Sequence, residues 1–294
     1  MKIDLTEFRV RPGAPVTLAR RPTAIKPLAA SKKDYRKFIR HDLARLDDLQ
    51  ERLYASGRHA VLLIFQGMDA AGKDGAVRHV LSGLNPQGCE VFSFKAPSAE
   101  ELAHDFLWRS VCRLPERGRI GIFNRSYYEE VLVVRVHPEL LQTERLPARS
   151  VDPRTIWEER MQSILALERH LERNGTRVIK FFLHLSKAEQ RRRFLERAEE
   201  PDKNWKLSAA DLKERKFWPR YRRAYEECLG ATSTAAAPWH IIPADDKFNA
   251  RMLISRVIVE ELQRLRLAFP RADRKRRREL RSIRRQLGKK SHGN

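Results

Sequence analysis

Short strand-like runs alternate with longer segments of helical spacing along most of this chain. Residues 60–65 (Ala-Val-Leu-Leu-Ile-Phe) are continuously apolar, the pattern of a strand buried on both faces. Four further strands are expected at 90–95, 119–124, 177–185 and 239–243. Residues 32–56 carry apolar side chains at Tyr35, Phe38, Ile39, Leu43, Leu46, Leu49 and Leu53, so they predict a helix ending before Gly57. Other helices are predicted over 73–84, 152–172, 209–229 and 247–266, and another from near Ser126. Capping pairs open two more: Ser98 with Glu101 for a helix to about 112, and Ser186 with Glu189. Strands alternating with helices of ten or more residues imply an α/β fold, a five-stranded parallel sheet flanked by helices. One domain is expected over 31–266, with 186–220 as a helical lid. A proline-rich arm (1–30) precedes it and a basic tail (267–294) follows.

The first strand runs into Gly67-Met-Asp-Ala-Ala-Gly72-Lys73 and then a helix. Strand, glycine loop, lysine and helix are the parts of a phosphate cradle, in which loop amides and a helix N-terminus meet an anion. The spacing is that of a P-loop except at Asp74, which stands where a hydroxyl residue would ligate Mg²⁺. Asp69 puts a second carboxylate inside the loop, where it would repel phosphate unless a cation lies between them. Gly67, Ala70, Ala71, Gly72, Lys73, Asp74 and Gly75, with Arg78 one turn on, are therefore the candidate phosphate-binding residues.

Ligands of such sheets bind beyond the C-terminal ends of the strands. That places Lys95, with Pro97 beyond it, and Asn124-Arg125 among the candidates. The third strand ends in Asn124 where a carboxylate is usual, and Glu129 and Glu130 follow in the first turn of the next helix. Either could hold a metal or accept a proton. Arg135 lies at the far end of that helix, beside His137, which reads as a packed or surface histidine. Arg193 and Arg197, four residues apart, share a helical face, and Lys203 and Lys206 follow them. A cationic lid over a phosphate site would supply charge to a transition state and exclude water.

The net charge of +22 predicts a polyanionic partner without choosing one. Much of the excess lies in Arg274–Arg278 and in Arg281, Arg284 and Arg285, which read either as a solvated basic helix or frayed tail or as a functional basic segment. Cys89, Cys112 and Cys228 are too widely spaced for a disulfide framework or a zinc site, so buried free thiols are expected. No run of 18 apolar residues and no signal-peptide core occur, so the expectation is a cytoplasmic protein away from the membrane.

The order of GMDAAGKDG, SFKAPSAEELAHDFLWR, GIFNRSYYEEVLVVRVH, HLSKAEQRRRFLERAEEPDKNWKLS and APWHIIPADDK over residues 30–265 resembles the polyphosphate kinase 2 family. The chain is most similar to the branch with FNRS in place of FDRSW, associated with phosphorylation of both AMP and ADP. The resemblance implies a thymidylate-kinase-like P-loop fold and Mg²⁺-dependent transfer from polyphosphate, with Mn²⁺ as an alternative metal. ADP and ATP would be formed reversibly by a homo-oligomer, a dimer or tetramer. It further implies that Asp69 holds the metal with Glu130, that Lys73 and Arg125 bind phosphates, and that Glu129 shapes the nucleotide site. Arg193 would be the lid arginine. Lys95, Pro97, Asn124, Arg125, Glu129 and Arg135 are the candidate nucleotide contacts. Two other classes remain: an ATP-dependent P-loop kinase for a small molecule, which needs no broad basic excess, and a nucleic-acid-binding module. The tail alone favours the latter, and no aromatic-rich stacking strand supports it.

Overall fold

Residues 3–288 are described by a computed structural model of the chain. In chain order the elements are α1 (Lys32–Ser56), β1 (Ala60–Gly67), α2 (Lys73–Leu81), β2 (Cys89–Ser93), α3 (Ala99–Leu102), α4 (Trp108–Val111), β3 (Ile120–Asn124) and α5 (Glu129–Val136). They continue with α6 (Ile156–Arg173), β4 (Thr176–His184), α7 (Lys187–Glu199), α8 (Ala209–Glu214), α9 (Trp218–Thr232), β5 (Trp239–Pro243), α10 (Lys247–Arg264) and α11 (Arg274–Gly288). The five strands are parallel in the order β2-β3-β1-β4-β5. β1 is thus central, with Phe65 beside Asn124 of β3 and Phe181 of β4.

Every residue of β1 is buried, because helices cover both faces of the sheet. Val61, Leu63 and Phe65 face a cluster that includes Leu46, Leu53, Val77, Val80, Leu253 and Ile254 of α1, α2 and α10. Leu62 and Ile64 face Val131, Met161, Ile164, Tyr225 and Leu229 of α5, α6 and α9. Side chains alternate across a strand, so this unbroken apolar run serves two cores at once. Each large aliphatic or aromatic group so buried contributes about 1.5–3 kcal/mol.

A buried ion pair penetrates the second core. Lys180 of β4 is fully buried, and its Nζ donates to Glu168 Oε2 at 2.6 Å, the Thr232 carbonyl at 2.7 Å and Tyr128 Oη at 2.9 Å. Burial lowers its pKa and Glu168 pulls it back. Glu168 Oε1 in turn accepts from Tyr127 and Tyr128 at 3.0 and 2.7 Å. The network leaves no buried partner unmatched, the condition under which such a pair is tolerated.

Two predicted helices are interrupted. The segment 98–112 divides into α3 and α4 because Asp105 turns its carboxylate onto the Leu107 amide at 2.9 Å and His104 stacks on Trp108 at 4.0 Å. The segment 209–229 divides into α8 and α9 at a 3₁₀ turn over Arg215–Phe217, with Pro219 in the first turn of α9. α5 begins at Glu129 rather than near Ser126, since Arg125 is left-handed (φ 64°) and the following turn is tight. The arm is irregular, with 3₁₀ turns at Thr6–Phe8 and Leu18–Arg20. It lies along the β5 edge, where the Val10 amide donates to the Trp239 carbonyl at 2.9 Å. Of the thiols, Cys228 is buried, with a pKa pushed up to about 12, whereas Cys112 is exposed, contrary to the expectation for all three. No helix among the described residues is long and apolar enough to cross a membrane.

Candidate active site

The loop between β1 and α2 is shaped by close approach. A Cβ on Gly67 would sit 3.0 Å from the Leu183 carbonyl of β4, so only glycine lets the loop leave the sheet there. Gly72 (φ 97°) is left-handed and opens α2, and Ala70 holds a left-handed φ of 60° without being glycine. The first amides of α2 have no intrahelical acceptor and meet whatever anion enters.

Lys73 is the first residue of α2 and is buried. Its Nζ donates to the carbonyls of Gly67 at 2.6 Å and Met68 at 3.2 Å. Burial, with a smaller push from Arg125, lowers its pKa to about 8, against the pull of Asp69, Glu129 and Asp74. The ammonium is therefore held in a tight carbonyl pocket that an arriving phosphate can compete for.

Arg125 follows β3 directly and bridges two carboxylates, Asp69 at 2.8 Å and Glu129 at 3.1 Å. Glu129, then Asp69, raises its pKa against burial. Its left-handed backbone donates N–H to the Phe65 carbonyl at 3.0 Å, which ties the β3 exit to the cradle. Beside it, Asn124 Nδ2 donates to Asp74 Oδ1 at 2.8 Å, while Asn124 Oδ1 is buried with no hydrogen-bond donor.

Glu129 and Glu130 diverge. Glu129 lines the concavity above the loop, whereas Glu130 is turned inward and is 6% exposed. Arg160 of α6 and Arg109 of α4 engage the Glu130 carboxylate at 3.2 and 3.5 Å, and burial with Glu144 raises its pKa to about 7. Glu130, expected to hold the metal with Asp69, here has its oxygens engaged by two guanidinium groups. Among the described residues no cluster of three or more His, Cys, Asp or Glu is arranged to hold a metal ion. The oxygens that remain at the loop are those of Asp69, Asp74 and Asn124, a hard donor set suited to a cation shared with phosphate oxygens and water.

The segment after β4 closes over the loop. Arg193 of α7 donates to the carbonyls of Ala70 (2.9 Å), Ala244 (2.6 Å) and Asp245 (3.1 Å), and Glu189 holds its Nε at 2.8 Å. It is thus a clasp between lid helix and cradle, with its donors engaged. Gln190, also on α7, donates to the Asp69 carbonyl at 2.9 Å and accepts from Arg215 at 2.8 Å. Tyr221 and Tyr225 of α9 wall the same concavity, and Tyr221 Oη donates to Glu214 at 2.7 Å. Unlike Arg193, the residues Gln190, Tyr221 and Tyr225 were not singled out from the sequence. Only their place after the β4 strand end hinted at them.

Other expected residues lie apart from this floor. Arg135, expected as a nucleotide contact, has its guanidinium paired with Glu227 and over the Trp157 ring at 5.8 Å. Lys95 and Pro97 are exposed beyond β2 and do not line the concavity, and the Lys95 carbonyl accepts from Arg109 at 2.8 Å. Arg78 is exposed on α2, and Lys203 pairs with Glu200. Arg197 lies over the Phe194 ring at 6.0 Å. Lys206 approaches the loop more closely, with Nζ 3.9 Å from Asp74 Oδ2.

The chain is similar to known proteins over most of its length. Residues 29–270 match the family model for polyphosphate kinase 2. The chain is 58% identical over 287 residues to an ADP-polyphosphate phosphotransferase of Rhodopseudomonas palustris, covering 98% of this chain and 99% of that one. It is 46% identical over 226 residues to an AMP/ADP-polyphosphate phosphotransferase of Meiothermus ruber, covering 77% and 80%. The crystal structure of polyphosphate kinase 2 from Arthrobacter aurescens superimposes with a TM-score of 0.83 at 38% identity, covering 95% and 96%.

Proposed function

The chain belongs to the polyphosphate kinase 2 family, and from that premise we propose that it moves the terminal phosphoryl group of inorganic polyphosphate to AMP and to ADP. The observation that carries this reading is the Asp69–Arg125–Glu129 bridge across the mouth of the cradle that holds Lys73. In the forward reaction a terminal oxygen of the nucleotide phosphate attacks the end phosphorus of the polymer. A new P–O bond forms, the P–O–P anhydride breaks, and the shortened polymer leaves with the electron pair.

Little covalent work falls to the protein in such a transfer, so catalysis is positioning and charge neutralisation. Lys73 and the α2 amides take a phosphate of the passing group. Arg125 exchanges its carboxylate partners for phosphate oxygens, a geometry suited to its planar fork. Arg193 and Gln190 hold the loop beneath the lid and keep water from the reacting phosphorus. Tyr221 and Tyr225, with Val133 and Met68, offer an apolar flank to a nucleoside. Asp69, Asp74 and Asn124 would hold Mg²⁺, with Mn²⁺ as a substitute. The bound ion would neutralise charge on adjacent phosphates. Because the chemical step exchanges like anhydrides, it runs in both directions, with ATP as donor in reverse, and we further propose a homo-oligomeric assembly.

The test incubates the purified full chain with Mg²⁺, long-chain polyphosphate and either AMP or ADP, and measures ADP and ATP. Product with at least one acceptor is expected. No product with either, or transfer only when ATP is supplied as donor, overturns the reading.

A further inference from the structure

The basic tail has no role in the site described above. Residues 274–288 form a helix, α11, capped by Asp273, whose carboxylate accepts from the Arg276 amide at 2.7 Å. None of its residues is buried. At 3.6 residues per turn, Arg274, Arg278, Arg281 and Arg285 fall in one line, and Leu280, Ile283 and Leu287 fall on the opposite side. Arg276 pairs with Glu279, and Arg277 donates to the Asp273 carbonyl. The guanidinium groups of the aligned four are exposed and bonded to nothing among the described residues. Aligned, unneutralised arginines repel one another, an arrangement that gains stability only when an anion runs along them.

The topology places this stripe at the far end of the molecule from the cradle. α10 begins beyond the C-terminal end of β5 and runs back along the sheet for 18 residues, about 27 Å at 1.5 Å per residue. Leu265 and Leu267 then pack into the α1/α10 core, and Phe269 lies under Arg52 near the end of α1. α11 is therefore tethered beside the N-terminal edge of the sheet.

We propose that the α11 arginine stripe is a second binding site for the polyphosphate donor, gripping the polymer at a distance while its end is consumed in the cradle. This rests on the polyphosphate-donor reading above. Charge complementarity selects the occupant: a chain bearing a negative charge on every repeat suits four guanidinium groups in a row. The helix has no aromatic residue on which a base could stack. A polymer held on α11 raises the local concentration of its own free end at the cradle, an effect of linkage and not of new chemistry. Only a donor long enough to reach from one end of the sheet to the other can gain from it.

The experiment compares the full chain with a variant carrying Arg274, Arg278, Arg281 and Arg285→Gln, using long-chain polyphosphate and tripolyphosphate as donors. For long chains the KM rises at least tenfold and kcat is unchanged. The log–log salt dependence of that KM becomes shallower by about three. With tripolyphosphate both constants stay within twofold. The corresponding four Arg→Lys changes keep the long-chain KM within about threefold. An unchanged long-chain KM overturns the proposal, and so does an equal rise with tripolyphosphate. A change confined to sedimentation would assign α11 to a contact between copies. Displacement of polyphosphate by an oligonucleotide at lower charge concentration would assign it to nucleic acid. If the unaltered protein uses neither donor, the proposed function itself fails. If it uses both and the variant matches it on both, only this inference fails.

Discussion

Replacing Lys73 by methionine separates the stability of the cradle from its use. The ammonium is buried against two carbonyls, and its pKa is lowered to about 8, largely by burial. In the unfolded chain the same amine titrates near 10.5. Between these values the unfolded state binds the proton and the folded state does not, so the stability of the unaltered protein rises with pH across that window. The gap of 2.5 (10.5 − 8) corresponds to about 3.4 kcal/mol at 1.36 kcal/mol per pKa unit. Below pH 8 the charged lysine therefore weighs against folding by that order. The Lys73→Met variant lacks this dependence. Guanidinium unfolding of both proteins at intervals from pH 7 to 10.5, with the difference between them plotted, isolates the one group. The unaltered protein should gain on the variant by about 3 kcal/mol from below pH 8 to above 10, while the variant's phosphoryl transfer falls at least about a hundredfold at every pH. A phosphate beside Nζ would raise its pKa, so donor affinity of the unaltered protein should weaken above pH 8. A flat stability difference would show that the ammonium is not desolvated in the folded state, and the carbonyl-pocket account would be abandoned.

Three other predictions concern named contacts. Asp69→Asn should lower transfer by about 10²–10³-fold and weaken Mg²⁺ activation, whereas Glu130→Gln should leave the Mg²⁺ concentration for half-activation within twofold; metal titrations of the two variants decide, and a loss of metal dependence in Glu130→Gln would restore it as a ligand. Lys180→Met should cost about 3–5 kcal/mol in denaturant unfolding by leaving Glu168 buried without its cation, and pairing it with Glu168→Leu should recover most of that loss. Arg193→Lys should behave like Arg193→Ala, each reducing kcat at least tenfold, because one ammonium cannot meet the carbonyls of Ala70, Ala244 and Asp245 together; full rescue by lysine would mean that the residue acts only as a charge.

The local parts of the site were readable because their signals are local. The unbroken apolar run of β1, the two glycines of the loop and Lys73 lie within fourteen residues, from Ala60 to Lys73, and each demands its own conformation. The same holds for the boundaries of α1, with Ser31 accepting from the Asp34 amide at one end and left-handed Gly57 at the other. Alternation of strands and helices sufficed for a parallel sheet. Neighbour choice within that sheet, β1 between β3 and β4, came from packing.

What the chain alone left open was direction and distance. Glu129 and Glu130 are equivalent as letters, yet their side chains leave the helix about 100° apart. Arg109 and Arg160, from elements remote in sequence, draw one of them inward. Arg193 was visible as a lid residue, but three carbonyls from two other loops make it a clasp. Gln190 sits unremarked among the charged residues of its motif and Tyr221 and Tyr225 carry none, and they join the site only because α7 and α9 fold back over it. Sequence determines a residue's chemistry and its near neighbours, since those interactions act over a few bonds. Which carboxylate lines the concavity beside Arg125 and which turns inward to Arg109 and Arg160 is a matter of long-range packing, so only the tertiary structure could decide it.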